Sequence, residues 1–276
     1  MSSTGPPPGP PAPPPGPGGP AAAWPAAPVP APAAGDERTL FGIERSPGPP
    51  RPFLGILAFV VVEVVFLGAS LLLGLAMEVD TAGEVLLALV VPTVLAAATA
   101  LVWTRVLGSG PRLDLGLQFR WEDVGVGLLI GVAGLPLTAL AALGYLQLVG
   151  PDVGTAVAVA FEGIRTTWPV ALLVMAGVVL VAPVCEEIVY RGLLWNAVAY
   201  RVHRRWLVFL ITTAVFALAH LEPVRAPLLF VVALPLGVAR LLTGRIVAGM
   251  VAHAVNNFLP GLALALMLVG VVPHVG

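Results

Sequence analysis

From Phe53 onward the chain is a succession of long apolar runs separated by short polar breaks. Each run approaches the roughly 20 residues a helix needs to cross a bilayer. The pattern predicts helices over about 53–77, 83–104, 124–149, 167–199, 206–222, 227–242 and 246–270. The fourth run is too long for one upright crossing and is expected to tilt or to project into water. The fifth and sixth are short, and the segment with Pro223 and Pro227 between them is expected to lie within the protein. The predicted fold class is therefore all-α: a polytopic membrane helical bundle of about seven transmembrane helices.

The first 52 residues follow a different rule, holding 18 of the 29 prolines. Runs such as Pro6-Pro7-Pro8 and Pro13-Pro14-Pro15 fix φ and remove backbone donors, which prevents helix and sheet. Residues 1–52 are expected to form a disordered, proline-rich tail, and residues 53–276 the membrane-embedded domain.

Composition reinforces the membrane reading. Of 276 residues, 58% are hydrophobic and only 11% charged, and the mean hydropathy is +0.96. A soluble domain carries about 25% charged residues, so this chain cannot cover a water-exposed surface. Membrane lipid is its expected surrounding. The net charge of −1 offers no basic surface for nucleic acid, which is not an expected partner. The single cysteine, Cys185, cannot form an intrachain disulfide and reads as a small core residue.

All 14 basic residues are arginine, and their placement orients the bundle. Arg38, Arg45, Arg51, Arg105, Arg112, Arg120, Arg201, Arg204, Arg205, Arg240 and Arg245 fall on one side if the runs alternate, and only Arg165 and Arg225 on the other. This bias predicts a multi-pass protein of the cell membrane with a cytoplasmic N-terminus and an outside C-terminus.

Ionisable groups within apolar helices are costly and mark function or pairing. One cluster is Glu186-Glu187-Ile188-Val189-Tyr190-Arg191-Gly192, in which Glu187 and Arg191 are spaced i, i+4 on one helix face. That spacing accounts for Glu187 and Arg191 as a buried pair but leaves Glu186 without a local partner. His220 closes the apolar run after Phe216, and His253 and Asn257 are again i, i+4 in the last run. Glu186 and His220 lie equally far from His203 in the turn between their helices. An antiparallel hairpin would place both at one depth, roughly 25 Å along each helix. One acid, two histidines and an amide on three helices can transfer protons and stabilise an oxyanion. Glu63, mid-way along the first run, is expected to pair with a neighbouring helix.

The three elements Glu186-Glu187-x-x-x-Arg191, Phe216-x-x-x-His220 and His253-x-x-x-Asn257 occur in the order of the signature motifs of the CPBP family. Ala182-Pro183 and Arg191-Gly192 also resemble its first motif, and the likeness covers about residues 167–260. That family includes type II CAAX prenyl endopeptidases and bacterial proteins related to bacteriocin processing and immunity. The resemblance implies an intramembrane endopeptidase acting on a membrane-associated protein or peptide. It implies Glu186 as the general base that activates water and His220 as a residue holding that water. His253 and Asn257 would stabilise the oxyanion, with Glu187, Arg191 and Phe216 supporting the site.

The cofactor reading stays open between none and zinc. Glu186, His220 and His253 are a plausible zinc set, although the His-Glu-x-x-His pattern is absent. Glutamate chemistry without metal is the preferred reading. The rival functions are a non-catalytic immunity or scaffold protein of the same family and a proton-coupled transporter. Against the transporter, the sequence has no internal repeat of the kind carriers use.

Overall fold

Helix is the only regular structure among the residues described, which are 52–150 and 156–272 in a computed structural model. These residues belong to one compact unit, Glu37–Gly276. The proline-rich tail lies outside the described residues.

The helices are α1 (Pro52–Ala76), α2 (Ala82–Leu107), α3 (Pro111–Asp114), α4 (Trp121–Val149), α5 (Ala156–Ala160), α6 (Trp168–Ala199), α7 (Arg205–Ala219), α8 (Ala226–Thr243) and α9 (Val247–Leu268). The seven long ones coincide with the seven predicted runs. Six of them, α1, α2, α4, α6, α8 and α9, are long and apolar enough to cross a membrane, and α7 is a shorter apolar helix. The outward faces remain apolar: Leu72, Leu75, Val106 and Leu148 are all exposed. With so much apolar surface presented outward, the chain is a multi-pass membrane protein.

α6 is the central element. It packs against α1 and α2 on one side, and against α9 on another. Its residues Cys185, Ile188, Val189 and Leu193 meet Ala58 and Val62 of α1 and Ala96, Ala97 and Ala100 of α2 in one core cluster. Cys185 is thus a buried core residue, as its setting predicted. At the other end, Val174 and Ala171 pack with Val85, Phe161, Leu264 and Leu268.

α6 is not a uniform α-helix. Its 32 residues would extend about 48 Å at the α-helical rise. Two stretches, Gly177–Val181 and Glu187–Leu194, wind as π-helix on either side of the α-helical turn Ala182–Glu186. Pro183 explains the first. In an α-helix its ring would press on the carbonyl four residues back, and here the amide of Ala182 reaches five residues back, to Gly177 O.

Close helix approach on the other flank depends on small residues. Gly127 and Gly131 of α4 face Ala248, Val251 and Val255 of α9, and Gly134 faces Pro235 of α8. A Cβ at Gly131 would lie 2.8 Å from Cβ of Val255, so only glycine lets α9 come this near.

α7 and α8 pack together as a hairpin. α7 departs just beyond the end of α6, and α8 returns to the same level, where Arg240 Nη2 lies 3.4 Å from Asn196 Oδ1. Arg240 and Arg245 flank the α8–α9 turn, and both are buried. Arg245 makes a two-pronged pair with buried Asp123, with Nε and Nη2 each 2.7 Å from a carboxylate oxygen. Arg240 donates to Gly244 O and faces the Trp195 ring. These two arginines tie helix ends together.

Candidate functional site

The site forms where α6, α7 and α9 meet. Glu186 ends the α-helical turn of α6 and Glu187 begins the second π stretch. The Glu187 side chain is fully buried, whereas that of Glu186 is 25% exposed. Adjacent carboxylates therefore occupy opposite environments.

His253 of α9 bridges them. Its Nδ1 lies 3.3 Å from Glu187 Oε1, and its Nε2 lies 3.6 Å from Glu186 Oε2. A carboxylate can only accept, so the hydrogen shared with Glu187 sits on Nδ1. Nε2 is then turned towards Glu186. The second distance is longer than a hydrogen bond.

Glu187 Oε1 also meets Arg191 Nη1 at 3.3 Å, with both side chains wholly buried. The expected i, i+4 pair is present. The guanidinium carbon sits 4.1 Å above the Phe216 ring centroid, and Nη2 reaches Ala233 O of α8 at 3.5 Å. A planar, delocalised cation tolerates the ring face, so Arg191 is held on two sides without further carboxylates.

Phe216 is the hub of the site. Its buried ring also makes edge contacts with Tyr190 at 5.2 Å, His220 at 4.8 Å and His253 at 5.9 Å. His220 joins the group through this ring. Its Nδ1 is 2.8 Å from Phe216 O, which directs Nε2 away from that carbonyl. Among the described residues His220 makes no hydrogen bond or ion pair to Glu186, and its link to the group is the Phe216 ring.

Asn257 lies one turn beyond His253, and its amide Nδ2 donates to Val178 O at 3.1 Å. The zinc set of Glu186, His220 and His253 is not assembled: among the described residues no three His, Cys, Asp or Glu side chains converge as metal ligands.

Three participants escaped sequence reasoning. Tyr190 packs edge-on against Phe59 of α1, with ring centroids 5.9 Å apart. Gly249 is the second. A Cβ there would collide with Glu187 Oε2, so its absence makes the space the carboxylate occupies. The third is Gly261, which lets α9 approach Val179. Gly249, His253, Asn257 and Gly261 recur every four residues, so one face of α9 runs along α6. That repeat was the available signal.

Residues 167–259 match a family described as type II CAAX prenyl endopeptidase Rce1-like. The matched stretch is about a third of the chain, begins just before α6 and ends within α9, and so contains every residue of the three motifs. It agrees with the CPBP resemblance of those motifs. No curated protein and no solved structure matches the chain.

Proposed function

We propose that this membrane protein is an intramembrane endopeptidase that hydrolyses a peptide bond of a membrane-associated protein or peptide. The observation that carries the reading is the contrast between the two adjacent acids, within the segment similar to Rce1-like endopeptidases. Glu187 is buried and committed to Arg191 and His253, while Glu186 is accessible and has His253 Nε2 beside it.

In this mechanism Glu186 is the general base. It accepts a proton from water as the water oxygen bonds to the scissile carbonyl carbon. The carbonyl becomes an oxyanion, and His253 and Asn257 supply donors to it. Donation from His253 Nε2 requires the doubly protonated ring, whose charge Glu186 balances before it takes the proton and the oxyanion balances afterwards, Glu187 being paired with Arg191. The C–N bond then breaks as Glu186 returns its proton to the leaving amine. His220, held by Phe216, helps position the water. Glu187 and Arg191 orient the site. The N-terminus faces the cytoplasm, and the membrane is the cell membrane.

The test is a comparison of cleaved membrane peptides in cells producing the wild type or Glu186→Gln. Peptides released by the wild type and absent from the variant are expected. Equal peptide profiles from equally abundant, folded proteins would reject the endopeptidase in favour of a binding or transport role.

A further inference from the structure

We infer that Asn257 supplies the hydrogen bond that Pro183 denies to the α6 ladder, and so holds the register at which Glu186 is presented. In the first π stretch the amide of Ala182 bonds five residues back, to Gly177 O. Continued by one residue, the same register would take the amide of residue 183 to Val178 O. Residue 183 is proline and has no N–H. Val178 O receives Asn257 Nδ2 at 3.1 Å instead.

The location makes this bond consequential. A carbonyl left without a donor among apolar helices has no water to turn to. The gap lies immediately before the single α-helical turn that ends in Glu186, so the winding there sets where that carboxylate points. π-turns of this kind tend to coincide with functional sites. One face of α9 follows this stretch of α6: His253 meets the two acids, Asn257 meets Val178 O, and Gly261 allows the approach to Val179. An amide nitrogen carries two hydrogens. One is used on Val178, and the other remains for the oxyanion in the proposed mechanism, on which the catalytic half of this inference rests.

A double-mutant cycle of Pro183→Ala and Asn257→Ala tests it, because alanine at 183 restores the missing donor. Thermal midpoints are measured on the full chain in nanodiscs. In the wild-type background Asn257→Ala is expected to lower the midpoint by about 2–4 °C. In the Pro183→Ala background the loss should be less than half as large, and equal losses would overturn the inference. Should Asn257→Ala fail to fold, Asn257→Leu keeps the side-chain volume and serves in the same cycle. For turnover, adding Pro183→Ala to Asn257→Ala should raise kcat about tenfold with KM unchanged. Restored stability with kcat still at the single-variant level would show that register is not transmitted to Glu186. Absence of cleavage by the wild type would fail the endopeptidase reading, while the stability cycle still decides the Asn257–Pro183 relation.

Discussion

Nδ1 of His253 lies 3.3 Å from Oε1 of Glu187, a carboxylate with no solvent exposure. This contact fixes the ring between two acids of unequal exposure and gives the site its polarity: a buried supporting acid on one side, an accessible one on the other. Ring orientation set by a carboxylate on the second nitrogen is a general device for aiming a histidine.

The polarity separates the two glutamates experimentally. Glu186→Gln keeps the shape and removes the proton acceptor, so turnover should almost vanish while the protein folds normally and binds peptide. Asn257→Ala removes one oxyanion donor and should retain slow cleavage, reduced by roughly 10²–10³ in kcat. His253→Ala should resemble Asn257→Ala if His253 acts only as a donor. Single-turnover assays on purified, folded variants measure all three, and near-wild-type cleavage by Glu186→Gln would sink the general-base assignment.

Arg191→Ala addresses the buried pair. It strands Glu187 without its cation, a loss that typically costs about 3–5 kcal/mol. Folded yield and cleavage should both fall, because His253 loses a fixed acceptor. Arg191→Lys should recover little, since an ammonium cannot lie flat on Phe216 while reaching Glu187. Full yield and activity in Arg191→Ala would reject the pairing.

Gly249→Ala tests the space behind Glu187. The added methyl has no room beside Oε2, and overpacking of this kind costs about 1–3 kcal/mol. We expect a folded but destabilised protein with impaired cleavage, read by thermal midpoint and by rate on the same preparation. Unchanged values for both would mean that Glu187 can shift freely.

The topology makes a parity prediction. α7 leaves from the end of α6 marked by Arg201, Arg204 and Arg205, and α8 returns to that level at Arg240 and Asn196. The α7–α8 pair therefore changes no side, whether or not its turn reaches the far surface. α1, α2, α4, α6 and α9 remain, an odd number of crossings. Reporters fused to the two ends of this chain should lie on opposite sides, with the N-terminal one cytoplasmic. Two reporters on the same side would refute the arrangement.

The helices were legible because lipid imposes one solution. A spanning segment must satisfy its own backbone and cover it with apolar side chains, and that requirement is written locally, from Phe53 to Val269. The motif order and the Glu187–Arg191 pair were legible for the same reason, since four-residue spacing on a helix is a local geometry. How the two acids are joined was not, because the residues between and behind them, His253 and Gly249, lie on a helix far along the chain. Gly249 makes the space for Glu187 Oε2, and His253 sits between the two carboxylates. The partners of Arg240 and Arg245 were not legible either, because a charge at a helix end gives no local sign of a distant partner such as Asp123. Asn257 belongs with these, because the bond it makes depends on a gap at Pro183, 74 positions earlier in the sequence. Local periodicity determined what would enter the membrane, and packing between helices far apart in sequence decided which polar atom faces which.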